Sequence, residues 1–258
     1  MDYKKLIITT GAAVIGVFGL SLTTQASTSN QYGYYQAKKT VKVPLYGTSQ
    51  SVKIKKNTIV PGYTFQDAFR TQKSIKLNLS SLSYQYRKSW PKIAKNIDWQ
   101  QSGATEQAVS FKAVTAPQQM LFKTVSTLPL TGMFYVGNRA NSKGTTTLKS
   151  RLVITTDGYI ERYYDTYPNV SQKPVATAKI SKVQRKGLTT YLYYPNHIKG
   201  VKDQHVAKTG KFQYRLTIKN LNKSTQTKLK NADVASERYA VYSFGGQHYF
   251  TLMNQVDF

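Results

Sequence analysis

Phe212-Gln213-Tyr214-Arg215-Leu216-Thr217-Ile218-Lys219 is the stretch on which the fold turns. Four apolar side chains alternate with four polar ones. An extended chain therefore carries Phe212, Tyr214, Leu216 and Ile218 on one face and Gln213, Arg215, Thr217 and Lys219 on the other. A strand with one buried and one wet face belongs to an antiparallel sheet. The neighbouring sequence repeats the theme. Residues 148–155 and 159–164 flank Asp157-Gly158, a strong hairpin signal. Residues 175–184 and 188–194 flank Lys186-Gly187, and residues 239–244 and 247–253 flank Gly245-Gly246. Phe134-Tyr135-Val136 adds a short strand, and residues 219–236 read as a polar loop rich in Lys and Asn. Strands at regular spacing joined by hairpin turns predict an antiparallel barrel or sandwich over residues 108–258.

The N-terminal half is shorter in pattern. Val41, Val43 and Leu45 alternate with Lys42 and Pro44, and Val52 and Ile54 alternate with Lys53 and Lys55. Turn residues separate these runs, and Lys56-Asn57-Thr58 leads to Ile59-Val60. That reads as a small meander with lysines outward. The Tyr-rich stretch before it, Gln31-Tyr32-Gly33-Tyr34-Tyr35, reads as a partly ordered lead-in. Ile75, Leu77 and Leu79 mark another half-buried strand. Residues 84–98, with Ile93 and Ile97 at helical spacing between Trp90 and Trp99, fit one short helix. Residues 109–114 and 120–128 are further strand candidates.

Thr40-Val41-Lys42-Val43-Pro44-Leu45-Tyr46, followed by Lys55-Lys56-Asn57-Thr58-Ile59-Val60-Pro61, resembles the opening of bacterial SH3-like wall-binding modules. It is also similar to the Tyr- and Lys-rich surface-layer modules of lactobacilli. The whole-chain profile resembles that of the S-layer and S-layer-associated proteins of these bacteria. The resemblance implies attachment to the wall without covalent chemistry. Leu130-Thr131-Gly132-Met133-Phe134-Tyr135 resembles the first strand of a calycin-type barrel, without the Trp usual there.

The first residues carry an address. Lys4 and Lys5 precede an uncharged apolar run from Leu6 to Leu22, and Thr24 and Ala26 place small residues before Ser27. This is the layout of a secretory signal cleaved after residue 26. The alternative is a retained membrane anchor, since the run approaches a spanning length. The chain holds 37 Lys and Arg against 11 Asp and Glu, a net charge of +26, and no Cys. Cleavage would remove Lys4, Lys5 and Asp2 and leave +25. Without cysteine there are no disulfides, thiolate metal sites or Cys-dependent hydrolases. Inside a cell such charge would point to nucleic acid. Outside a cell the polyanions are teichoic acids, acidic polysaccharides and lipid head groups.

Several patterns could carry chemistry. Leu128-Pro129-Leu130-Thr131-Gly132 has the form of a sortase signal but is followed by more than a hundred residues of strand pattern, so it reads as a turn entering a strand. Ser89 and Lys92 fit Ser-x-x-Lys, and Lys208-Thr209-Gly210 fits Lys-Thr-Gly, as in serine penicillin-binding enzymes. The middle motif of that family is missing between them. His197, His205 and His248 have no metal-binding spacing. Asp157, Glu161 and Asp165 form an acidic cluster, but Asp157 belongs to a turn and Glu161 beside Arg162 reads as an ion-paired strand position. A glycosidase would need two poised carboxylates.

These observations combine into one expectation. The chain is mostly β: a signal over residues 1–26, a lead-in and SH3-like strand module over 27–66, a connector over 67–107 with one short helix, and a calycin-like barrel or sandwich over 108–258. It is read as a secreted, non-catalytic protein, held non-covalently at the cell wall by polyanions and needing no cofactor or metal. Lys38, Lys39, Lys42, Lys53, Lys55, Lys56, Lys179, Lys182, Arg185 and Lys186 are the candidate phosphate contacts. Tyr163, Tyr164, Tyr167, Tyr191, Tyr193 and Tyr194 are candidates for stacking on sugars, or else ordinary strand filler. Nucleic acid is not an expected partner in vivo, and self-association stays open. The alternatives are a barrel with an apolar cavity that carries a lipid or small molecule, and a peptidoglycan-modifying enzyme.

Overall fold

A computed structural model describes residues 31–45, 49–66, 73–90, 103–120, 132–136, 150–164, 173–228 and 234–257. The signal-like segment, Ile93, Ile97, Trp99, Asp165, Tyr167 and the sortase-like motif up to Thr131 lie outside the described residues.

The first unit is built from β1 (Gln31–Ala37), β2 (Val41–Pro44), β3 (Ser51–Ile54), β4 (Ile59–Gln66), β5 (Lys73–Asn78), the single-turn helix α1 (Tyr84–Arg87), β6 (Gly103–Gln107) and β7 (Phe111–Val114). Five strands form one antiparallel sheet in the order β6-β5-β4-β1-β7, and β2 and β3 make a separate hairpin. The Tyr-rich lead-in is thus not a loose approach. It is β1, hydrogen-bonded on both edges to β4 and β7. Tyr side chains hid this from a pattern search, because both faces of β1 are aromatic. Tyr35 joins a core with Val41, Val43, Ile54, Val60, Leu77 and Phe111, while Tyr34 packs against the core of the second unit. Strand β7 also belongs to this sheet, so the boundaries drawn at residues 66 and 107 do not coincide with its edges.

The second unit contains β8 (Met133–Val136), β9 (Ser150–Ile154), β10 (Tyr159–Tyr163), β11 (Ala176–Lys179), β12 (Lys182–Lys186), β13 (Thr189–Tyr194), β14 (Gln204–His205), β15 (Tyr214–Lys228), β16 (Val234–Phe244) and β17 (Gln247–Asp257). Its sheet runs β11-β10-β9-β8-β17-β16-β15-β13-β12, with β14 paired to β15. The two ends of this order, β11 and β12, are one continuous segment interrupted only by Ile180 and Ser181. The Ile180 amide donates to Gly158 O at 2.9 Å, continuing the pairing with β10, and the next amide, Ser181, donates to Tyr193 O at 2.8 Å, opening the pairing with β13. One strand therefore changes partner midway and brings the edges of the curled sheet together, as an up-and-down barrel requires.

The deciding stretch lies in this wall. Leu216 and Ile218 are buried and Lys219 is exposed, as alternation demands. Strand β15 begins only at Tyr214, however, and Phe212 just before it is exposed. The polar run after Lys219 is not a loop. It continues β15 to Lys228 as half of a long hairpin with β16. Its residues 222–226 are all exposed, so no apolar alternation marks them.

Inside the curl, rings fill the space. Phe134 meets Tyr242 at 5.2 Å and Phe244 at 4.8 Å, and Phe244 meets Tyr249 at 4.5 Å between centroids. Ile198 and Val201, from the loop after β13, are buried in the same cluster and plug one end. Among the described residues no helix is long and apolar enough to cross a membrane.

Candidate functional site

The first cationic face follows from the β2–β3 hairpin. Val41, Val43, Val52 and Ile54 turn into the core, which leaves Lys42 and Lys53 outward and directly opposite each other. Like charges across a strand pair repel. Lys38 and Lys39 lie exposed between β1 and β2, and Lys55 and Lys56 lie exposed in the turn to β4. That turn is pinned. The Lys55 amide donates to the Tyr86 hydroxyl at 2.8 Å, and the Lys56 amide donates to Thr40 Oγ1 at 3.2 Å. Asn57 supplies the left-handed residue, at φ 68°. The six N-terminal lysines read from the sequence thus gather around one hairpin.

The second face is the outer surface of β12, β13 and β15. Register sets Lys182 beside Tyr193, and Tyr193 beside Arg215. The Lys182 ammonium stands 5.6 Å from the Tyr193 ring and 5.9 Å from the Phe212 ring, and the Lys211 ammonium 5.5 Å from the Phe212 ring. The Arg215 guanidinium lies 5.3 Å from the Tyr191 ring. One row further, Lys186, Thr189 and Lys219 align. Each of these three rings therefore sits beside a cation, within reach of its negative face. Lys179 is on another part of the wall, 4.3 Å from the Tyr159 ring and donating to Asp157 O. Lys211, Phe212, Arg215 and Lys219 were not singled out from sequence. The alternation over residues 212–219 carried the signal for Arg215 and Lys219, whereas Phe212 was placed on the wrong face.

Three candidate residues point elsewhere. Arg185 is exposed like Lys182 and Lys186, but alternation sends its side chain to the opposite side of β12, with Nε 3.3 Å from Thr190 Oγ1. Tyr163 is 2 % exposed and donates to Glu161 Oε2 at 2.6 Å. Tyr194 is fully buried and donates to Asp203 Oδ2 at 2.8 Å. A sealed ring has no face to offer a sugar, so Tyr163 and Tyr194 are structural. Tyr164 is exposed, but the Arg162 guanidinium covers one face at 4.4 Å. Tyr191 and Tyr193 are half-buried.

The acidic residues explain why the cations stand alone. Asp157 accepts from the Ser83 amide at 2.9 Å and from the Ser83 hydroxyl at 2.6 Å. Ser83 Oγ in turn caps α1, accepting from the Tyr86 amide. Glu161 is 1 % exposed and accepts from the Tyr84 amide at 2.6 Å, so the expected ion pair with Arg162 is replaced by a buried joint between the two units. Burial pushes its carboxyl above the usual range, against hydrogen bonds from Tyr163 and Tyr84 and the nearby charge of Arg87. Thr156 adds a backbone bond to Ser81 O at 2.9 Å. Asp203 accepts from Tyr194 and from the Ile198 amide, and lies 2.6 Å from His197 Nδ1, which fastens the plugging loop. Every carboxylate whose side chain is described is consumed inside the protein.

The remaining motifs stay apart. Ser89 is exposed after α1, Lys92 lies outside the described residues, and Lys208-Thr209-Gly210 is an exposed turn. His197 and His205 flank Tyr214 at 5.7 and 5.0 Å, and no group of three metal-ligating side chains occurs among the described residues. The chain matches no known family model, no curated protein and no solved structure.

Proposed function

We propose that this is an exported, non-catalytic protein of the cell envelope that binds wall polyanions, teichoic acid or acidic glycan, through its lysine faces. One observation carries the reading: the described carboxylates are turned inward, while Lys42, Lys53, Lys55, Lys56, Lys182 and Lys186 stand outward with no acidic partner among the described residues. Two lysines held opposite each other cost stability in isolation and gain when phosphates lie between them. The cation-covered Tyr191 and Tyr193 add ring faces beside those charges, suited to a polymer that alternates sugar and phosphate.

The test is retention of the protein on purified Gram-positive walls, before and after teichoic acid is stripped, across a salt series. Binding should fall linearly on a log–log plot against salt and vanish on stripping. The triple variant Lys53→Gln, Lys55→Gln, Lys56→Gln should lower the slope by about two to three, roughly one per lost phosphate contact, with folding unchanged. Retention that ignores salt would overturn the reading.

A further inference from the structure

Ile198 and Val201 plug the end of the curled sheet where β13 closes. Strand β13 runs from one end to the other, with Thr190 near its start and Tyr194 near its close. At the Thr190 end, Arg185, Leu188, Thr190, Ile218, Asn220 and Tyr242 enclose a cavity of about 30 Å³ that opens to solvent. A water needs about 10–15 Å³ on the same measure, so the space accepts more than one water and less than a sugar ring.

The placement of Arg185 is built rather than incidental. Its cross-strand partner Thr190 is buried, one step beyond Leu192, while Arg185 itself is exposed at the mouth of the space. Tyr242, 1 % exposed, faces it closely enough for the guanidinium to oppose the upward push of burial on the phenol. Asn220 pairs with Tyr242 at the site of a β-bulge, where the register jumps to Lys223 and Asn222 takes φ 52°. Bulges at barrel rims commonly re-aim a side chain. No described carboxylate neutralises Arg185: Asp157, Glu161 and Asp203 are occupied elsewhere. A partly desolvated guanidinium, a threonine hydroxyl and a tyrosine ring around a small cavity make an acceptor for one oxyanion.

We infer that this end of the barrel is a discrete site for a single oxyanion, a phosphate or a carboxylate, held by the fork of Arg185 with Thr190 as its neighbour. It is distinct from the lysine faces and goes beyond the wall-binding reading. The lysine faces sum many weak, exposed contacts, whereas this site is single, saturable and shape-limited. Arg suits it better than Lys because its planar donors can grip two oxygens at once.

Titration of the full chain with inorganic phosphate, and separately with acetate, at constant ionic strength tests this by following the Thr190 amide and Arg185 Nε–H signals in NMR spectra. A saturable shift with either anion supports the site, and the anion that binds tighter names the class of group it takes. Arg185→Gln should weaken that binding about tenfold or more. Arg185→Lys should fall between, and Lys208→Gln, in the exposed turn at residues 208–210, should leave it unchanged. Thermal midpoints of the variants establish that they fold, and if Arg185→Gln does not, Arg185→Lys serves in its place. Shifts that never saturate, or equal binding by Arg185→Gln, overturn the proposal. Wall retention is a separate readout: Arg185→Gln should keep it, so failure of either idea leaves the other standing.

Discussion

Glu161 shows how a residue can be read correctly as a strand position and wrongly as the ion-pair partner of its neighbour. Its sequence neighbour Arg162 invites an ion pair, but alternation sends the two to opposite faces of β10. Glu161 goes to the joint with α1, while Arg162 donates to Lys199 O. Because burial raises the Glu161 carboxyl above its unfolded value, the folded state binds this proton more tightly than the unfolded chain. Its contribution to stability is then fully present below the ordinary Glu range, near pH 4.3 or so. It is lost as pH rises from there through the elevated folded value. Glu161→Gln removes that titration. Thermal midpoints of the two proteins across this window should therefore differ most at low pH and converge or cross as pH rises, and parallel curves would refute the assignment. The buried amide keeps one acceptor for the Tyr84 amide or the Tyr163 hydroxyl but not both, so the variant is also expected to be less stable at low pH.

At the scale of the element, two hairpin turns offer a controlled comparison. Gly187, between β12 and β13, and Gly245, between β16 and β17, hold nearly the same left-handed φ, 56° and 54°. A methyl group at Gly187 meets nothing, whereas one at Gly245 runs into the Lys202 backbone carbonyl. Gly187→Ala should cost only the conformational strain, about 1 kcal/mol, and Gly245→Ala about 2–3 kcal/mol or more, strain and collision together. Urea midpoints measure both, and equal costs would mean that the β16–β17 turn does not dock on the loop that carries Lys202. Both turns were legible because Gly at a hairpin centre has a local cause. So were the strands around them, whose one-sided burial writes alternation into the sequence. The missed elements had no such signature. Strand β1 is aromatic on both faces, which masks the face that Tyr35 and Ala37 bury, and the far half of β15 is exposed and polar, held by pairing with β16. The lysine face of the β2–β3 hairpin was legible from alternation alone. The placement of Arg185 beside Thr190 needed register, which only pairing with β13 supplies, and the fate of Asp157 and Glu161 needed contacts between residues more than seventy positions apart.

For the whole molecule, one cause should produce two effects of opposite sign. A chain of net charge +26, with its described carboxylates facing inward, repels itself when folded. Lys42 and Lys53 face each other across a strand pair, well inside a Debye length of about 10 Å at 0.1 M salt. Raising ionic strength therefore relieves repulsion in the compact state and should raise the thermal midpoint. A protein of this size gains about 2–4 °C for each kcal/mol of relief. The same salt competes with the polyanion and should release the protein from walls. A soluble polyphosphate at low salt should do what salt does to stability without abolishing binding, because a ligand that prefers the folded state stabilises it by mass action. The comparison is made by scanning calorimetry in low salt, in high salt, and in low salt with polyphosphate, alongside wall retention in matched buffers. A midpoint that falls with salt would mean that the outward lysines already have internal partners. The cationic faces would then be ordinary solvated surface, and the case for polyanion binding would lose its physical basis.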